Sequence, residues 1–105
     1  MTEKQIEENL RTQVKKRGGL CEKWTSGTSG WPDRIILLKN KPVAFIEVKA
    51  PGKTPRALQV HRHKQLRSLG FKVFVLDNEE DIGGILDEIQ TTWLSIILYW
   101  LHKES

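Results

Sequence analysis

The sequence predicts an α/β fold in which a small mixed β-sheet is flanked by helices. Two apolar runs, residues 34–38 and 43–48, are joined by a Lys-Asn-Lys-Pro turn at residues 39–42 and predict an antiparallel hairpin. A helical stretch then leads to a third apolar run, residues 71–76. Because strand, helix and strand in succession imply a right-handed parallel crossover, one sheet should contain both antiparallel and parallel pairs.

The first element is predicted to be a helix over residues 3–17. Thr2 and Gln5 form a capping-box pattern, and Gly18-Gly19 is a C-terminal stop signal. The apolar stripe of this helix is thin and consists of Ile6, Leu10 and Val14. Residues 20–24 predict a short strand.

A loop and two further helices complete the prediction. Residues 25–30 contain only Thr, Ser and Gly and predict a flexible loop beside the start of the hairpin, where Trp24 or Trp31 could contact DNA bases or simply pack. Residues 56–69 predict a helix that ends at Gly70. Its inward residues are expected to be Leu58, Leu66 and Leu69. The last helix is expected over residues 79–94, with Ile82, Ile85, Leu86, Ile89 and Trp93 on one face.

The length and composition of the chain limit the kinds of protein that it can be. A chain of 105 residues suffices for one domain, which we place at residues 1–92, followed by an apolar extension at residues 93–105. The net charge of +4 favours a polyanionic partner. The single cysteine, Cys21, excludes an internal disulfide and a cysteine-rich zinc site, and it fits a cytoplasmic location, as does the lack of an N-terminal signal pattern. No apolar run approaches the ~20 residues of a membrane span.

Asp33 and Glu47 are the strongest candidates for a reactive site. With a turn of three or four residues, Asp33 falls opposite Glu47 or one residue away, and Lys49 shares the face of Glu47. Two facing carboxylates repel each other, and burial at the end of an apolar strand increases the cost. A divalent cation removes both penalties, and oxygen ligands suit Mg²⁺ or Mn²⁺. The alternative is an exposed ion-pair ladder after an ordinary Pro-Asp turn.

A third acidic group is expected from the first helix. At about 100° per residue, Glu3 and Glu7 lie on or beside the apolar stripe, whereas Glu8 points away. An acid on the core-facing side is unusual, because Glu is seldom fully buried without a partner. The alternative is a glutamate at the edge of the stripe whose carboxylate reaches water.

The sequence resembles the VRR-NUC domain, the virus-type replication-repair nucleases of the PD-(D/E)XK superfamily. The resemblance extends over about residues 3–85. The matching residues are Ile6-Glu7, Leu10, Gly18-Gly19, Gly30-Trp31-Pro32-Asp33, Phe45-Ile46-Glu47-Val48-Lys49-Ala50-Pro51-Gly52, Gln59 and Gly70. The resemblance implies a restriction-endonuclease-like core and a small stand-alone member of phage type.

The resemblance also implies the roles of the site residues. It implies metal binding by Asp33, Glu47 and the Val48 carbonyl, with a helical glutamate completing the site. Glu7 is preferred to Glu3, because its spacing to Leu10 is similar to that in archaeal Holliday-junction resolvases. Catalysis is expected from Asp33, Glu47, Lys49, which would position the attacking water, and Gln59, whose amide could orient a carboxylate, the water or Lys49.

The helix over residues 56–69 carries a concentration of basic side chains. They are Arg56, His61, Arg62, His63, Lys64 and Arg67, which we interpret as one basic, solvated face. His61 and His63 lie two residues apart, so they cannot converge on one ion. Lys53, Arg56, Arg62 and Lys64 are the candidate DNA-binding residues; the alternative is a face that is only solvated.

The sequence therefore predicts a metal-dependent DNA endonuclease that hydrolyses phosphodiester bonds in replication, recombination or repair. Selectivity for branched or junction DNA is implied by the resemblance alone. The alternatives are a nuclease of general nick or end specificity and a catalytically inactive nucleic-acid-binding module. A homodimer is expected, because the run at residues 93–101 carries more apolar surface than one small core can use. No small-molecule cofactor and no membrane are expected as partners.

Overall fold

The computed structural model describes residues 1–91 and 101–103. Its elements are α1 (Glu3–Lys16), β1 (Leu20–Lys23), β2 (Arg34–Leu37), β3 (Ala44–Val48), α2 (Ala57–Ser68), β4 (Lys72–Leu76), a 3-10 turn (Glu79–Asp81) and α3 (Ile82–Gln90). These bounds confirm the predicted order of strands and helices. The predicted continuation of α3 to residue 94 and most of the apolar tail, residues 93–100, lie outside the described residues.

The four strands form one mixed sheet in the order β1-β2-β3-β4. The pairs β1–β2 and β2–β3 are antiparallel, whereas β3 and β4 are parallel and are connected through α2. The predicted hairpin and crossover are therefore both confirmed, and the fold is α/β. The hairpin turn is closed by a hydrogen bond from Lys41 N to Leu38 O, with Asn40 in the left-handed region at φ 60°.

The sheet separates two cores because side chains alternate between its faces. The larger core lies between the sheet and helices α1 and α3, where Ile46 of β3 contacts the predicted stripe of α1. The smaller core lies on the α2 side, where Phe45 packs with Leu66 and Val73. Helices thus cover both faces of β3, whose five residues are all buried.

The inward face of α2 was predicted wrongly. Leu58 is 43% exposed and Leu69 is 71% exposed, so only Leu66 of the three expected leucines is buried. The side chains that face the sheet with it are Gln59 and His63, at 6% and 2% exposure. His63 is therefore not part of a solvated basic face, and α2 presents polar groups to the end of β3.

The loop between β1 and β2 packs on α2. Gly30 has φ +88°, and a Cβ atom at this position would lie 2.7 Å from the Leu58 side chain, so only glycine fits without displacement. Arg62 donates from Nε to the Ser29 carbonyl at 3.1 Å, and its guanidinium lies 5.5 Å from the centre of the Trp31 ring. These contacts fix the segment that leads into Asp33.

Within residues 1–91 and 101–103, no helix combines the length and the apolar character that crossing a bilayer requires.

Candidate active site

Asp33 and Glu47 face each other at one end of the β2–β3 hairpin. Arg34 pairs with Ile46, so extending the antiparallel register by one residue places Asp33 opposite Glu47. The two side chains are hydrogen-bonded to each other, and Asp33 Oδ2 also accepts a hydrogen bond from the Val48 amide at 3.0 Å. The predicted juxtaposition of two carboxyl groups is confirmed.

Glu47 is buried at this position although it is an acid. It is 1% exposed, whereas Asp33 is exposed to solvent. Burial, together with the hydrogen bond and the negative charge of Asp33, raises the pKa of Glu47 to about 8, against opposing positive charge from Lys49 and Arg56. Without a cation, the pair therefore retains a proton near neutral pH. A bound cation would replace that proton.

Asp33 also borders an open pocket of about 270 Å³ between the N-terminal end of α1 and the sheet. The pocket is lined by Glu3, Glu7, Lys23, Trp24, Thr25, Asp33 and Val48. Three of the four predicted metal ligands, Glu7, Asp33 and Val48, thus share one pocket, and the fourth, Glu47, is hydrogen-bonded to Asp33. The pocket is predominantly acidic, because three carboxylates face a single lysine.

Glu7 is held in place by a buried arginine. Arg34 is 7% exposed and donates from Nε to Glu7 Oε1 at 2.7 Å, and its Nη2 makes a second contact with the same oxygen. Both contacts are made to Oε1, so a cation would be held through Oε2. Glu3 lies one helical turn earlier, is exposed and borders the same pocket. The choice between Glu7 and Glu3 stays a prediction.

The donor set fits a hydrated divalent cation. Across the described part of the chain, no three carboxylate, imidazole or thiol groups already converge on one point. Mg²⁺ retains several waters, however, and is commonly bound through one or two carboxylates. The hydrogen-bonded Asp33–Glu47 pair beside a carboxylate-lined pocket supplies oxygen ligands of this kind and the room for such waters.

Lys49 and Gln59, the other two predicted catalytic residues, make different contacts. Lys49 follows β3 directly, and its positive charge opposes the rise in the Glu47 pKa. Gln59 Oε1 accepts a hydrogen bond from the Arg56 amide at 2.8 Å and so caps the start of α2. The structure therefore gives Gln59 a role in the helix, and its catalytic role stays a prediction.

The four candidate DNA-binding residues divide into two groups. Lys53, Arg56 and Lys64 are exposed. Arg62 is half-buried and is engaged by the loop before Asp33, as described above. Arg62 therefore has a structural contact in addition to any contact with DNA.

Sequence reasoning missed the contact of His63 with Glu47. The Nε2 atom of His63 lies 3.3 Å from Glu47 Oε1. Burial, helped by the positive charges of Arg67 and Lys49, lowers the pKa of His63, so the contact is a hydrogen bond with a neutral imidazole rather than an ion pair. The signal was present in the sequence, because Gln59 and His63 lie four residues apart and share one helix face.

Lys23 was also absent from the predicted site, and Trp24 was expected there only as a residue that contacts bases or packs. Both line the acidic pocket, since β1 pairs with β2 and ends beside Asp33. The Trp24 amide donates to the Asp33 carbonyl at 2.9 Å, which fixes this edge of the pocket. The position of Lys23 and Trp24 beside Asp33 depends on how β1 pairs with β2. The sequence does not predict that register, because β1 is short and carries no alternating apolar pattern.

Comparisons with known proteins agree with this fold. No family model matches the sequence. The chain is 41% identical over 88 residues to "Putative nuclease p44" of Acyrthosiphon pisum secondary endosymbiont phage 1, a match that covers 83% of this chain and 94% of that protein. It also superposes on a solved VRR_NUC domain with a TM-score of 0.76 and 25% identity, over 84% of this chain and 98% of the other. The chain therefore belongs to the VRR-NUC family of nuclease domains.

Proposed function

We propose that this protein is a metal-dependent endonuclease that hydrolyses phosphodiester bonds in DNA. The observation that carries the proposal is the buried carboxyl of Glu47, which is hydrogen-bonded to Asp33 at the edge of an acidic pocket. A buried carboxyl group beside a second carboxyl group is costly in a protein that has no cation to bind. A binding module that had lost catalysis would have no reason to retain it.

A few residues would carry out the proposed chemistry. Asp33, Glu47, the Val48 carbonyl and a carboxylate of α1 would hold Mg²⁺ or Mn²⁺. When bound, the ion lowers the pKa of a water and stabilises negative charge on the phosphate. Lys49 orients the attacking water and offsets charge on the phosphate oxygens. Lys23, which also lines the pocket, would provide a second positive charge for the phosphate backbone.

The test is cleavage of plasmid, four-way junction, nicked duplex and linear duplex DNA with Mg²⁺ or Mn²⁺, with and without chelator. Cleavage that requires the ion is expected, and the branched substrate is expected to be preferred. Equal rates on all four substrates would support the alternative of a nuclease with general nick or end specificity. DNA binding without cleavage under every condition would support the inactive binding module.

Exposed lysines near the site are expected to contact phosphates. Lys53→Ala with Lys64→Ala should weaken DNA binding for all sequences and should flatten the log-log dependence of affinity on salt by roughly two units, about one per lost phosphate contact. Arg56 is left intact because its charge acts on Glu47, and Arg62 because it holds the loop. Fluorescence anisotropy across a salt series, with chelator present, measures the slope.

The matched control for this variant is Lys15→Ala with Lys16→Ala. These exposed lysines end α1, roughly 20 Å along the helix axis from Glu3 at about 1.5 Å per residue. The control should keep the wild-type slope. A wild-type slope in the Lys53 and Lys64 variant would show that these two lysines are only solvated.

We also propose that the protein is a cytoplasmic homodimer, with the apolar tail as the contact. A two-fold pair of sites would match the symmetry of a branched junction, at which paired cuts are required. Light scattering after gel filtration, over a dilution series, should give twice the 12.1 kDa mass of the chain. A monomer with full activity at micromolar concentration would contradict both the dimer and the paired cuts.

A further inference from the structure

His63 and Glu47 form a buried polar contact between α2 and the last part of β3. Their exposed fractions are 2% and 1%, and the distance from His63 Nε2 to Glu47 Oε1 is 3.3 Å. An imidazole at such a position costs free energy unless it is hydrogen-bonded, whereas an aliphatic side chain would simply pack. Leu66, three residues further along the same face of α2, packs in that way. The position of His63 therefore requires an explanation other than core packing.

The chemistry of the two groups gives their contact one direction. With a cation bound, Glu47 is ionised and can only accept hydrogen bonds, so a neutral imidazole must donate through Nε2–H and carry no proton on Nδ1. The bond occupies Oε1 of Glu47. The carboxylate is then fixed from the α2 side by His63. Carboxylates that bind metals are commonly oriented by such outer hydrogen bonds.

We propose that His63 is a positioning residue that donates Nε2–H to Glu47 Oε1 and leaves the second carboxylate oxygen of Glu47 for the divalent cation. The inference rests on the proposed function, because it assigns Glu47 as a ligand. His63 itself touches neither the cation nor the DNA. Its loss should therefore weaken metal binding and slow cleavage without changing the affinity for DNA measured in chelator.

The experiment compares two variants at position 63. His63→Leu removes the donor at similar volume, whereas His63→Gln keeps an N–H group near the position of Nε2. Isothermal titration with Mn²⁺, in the absence of DNA, should show affinity weakened by about 10- to 100-fold in His63→Leu, as is usual for lost outer-shell partners. His63→Gln should retain most of the wild-type affinity for Mn²⁺. Recovery of affinity by Gln separates a hydrogen-bonding role from a purely structural one.

His61 provides the matched control. It lies two residues earlier on α2 and is exposed, so His61→Leu and His61→Gln should bind Mn²⁺ and cleave DNA as the wild type does. At saturating metal, His63→Leu should lower kcat while the KM for DNA stays near the wild-type value. Wild-type Mn²⁺ affinity in a folded His63→Leu variant would overturn the proposal and leave the proposed function intact.

A second measurement does not depend on a variant. Long-range ¹H–¹⁵N NMR of the Mg²⁺-bound wild type should show His63 as the Nε2–H tautomer, and the Nδ1–H tautomer would overturn the proposal even if His63→Leu failed to fold. A wild-type protein that binds neither Mn²⁺ nor Mg²⁺ would instead refute the proposed metal dependence, and the role of His63 would fall with it.

Discussion

Glu47→Gln is expected to cleave DNA at least 10²- to 10³-fold more slowly than the wild type, at saturating Mg²⁺ and with the fold intact. The amide retains the volume of the buried side chain. It cannot ionise, however, so it supplies no negative charge to hold a cation. Asp33→Asn should behave similarly. Lys49→Ala should instead bind Mn²⁺ with near wild-type affinity and lose about 10²- to 10⁴-fold in rate, because it acts on the water and the phosphate.

Single-turnover cleavage of a junction substrate, with Mn²⁺ titration on the same samples, separates these effects. Glu80→Gln is a suitable control, because Glu80 is an exposed acid in the 3-10 turn and lies outside the pocket. It should retain the wild-type rate. If Glu47→Gln, Asp33→Asn or Lys49→Ala cleaved at the wild-type rate under saturating metal, the assignment of the site would be wrong.

The register of the hairpin could be predicted from the sequence because the turn and the apolar runs constrain each other. Residues 34–38 and 43–48 are separated by a turn too short to allow large slippage, and a shift by one residue would move every apolar side chain to the other face. That constraint alone placed Asp33 opposite Glu47, or one residue away. The register in the structure is the first of these.

The inward face of α2 could not be predicted in the same way. Surface helices generally turn their apolar residues toward the core, and this rule predicted an inward face of Leu58, Leu66 and Leu69. The start of α2 instead lies against the end of β3, where the buried carboxyl of Glu47 takes His63 as a hydrogen-bond partner. Gln59 also faces inward, but its side chain accepts its hydrogen bond from the Arg56 amide. Local rules fail most often where a site imposes its own needs.

Contacts between segments that are distant in the sequence could likewise not be predicted. Glu7 and Arg34 are separated by 27 positions, and only the packing of α1 on the sheet brings them together. The contact of Arg62 with the loop before Asp33 spans 33 positions in the same way. In the sequence alone, Arg34 and Arg62 are indistinguishable from ordinary surface charges. In the structure, each fixes a segment that carries a site residue.

In metal-free buffer, the free energy of unfolding is expected to fall as pH rises from about 6.5 to 8, and Glu47→Gln is expected to remove most of that fall. Burial and Asp33 raise the pKa of Glu47 from 4.5 to about 8 in the folded state. Between these values the folded protein retains a proton that the unfolded chain has released. Stability therefore decreases with pH, by at most about 1.4 kcal/mol per pH unit for one proton. Below about 4.5 both states are protonated, and the Glu47 contribution is constant.

The window begins near pH 6.5 because His63 acts in the opposite direction below it. Its pKa is lowered in the folded state, so its contribution to stability is lost as pH falls below 6.5 and is already complete above that value. Denaturant unfolding of the wild type and Glu47→Gln, at several pH values in chelator, isolates Glu47 as the difference between two slopes. Mg²⁺ should flatten the wild-type slope, because it binds the ionised carboxylate of the folded state. Parallel slopes for the two proteins would mean that Glu47 is ionised in the metal-free fold, and the argument from a protonated carboxyl pair would then fail.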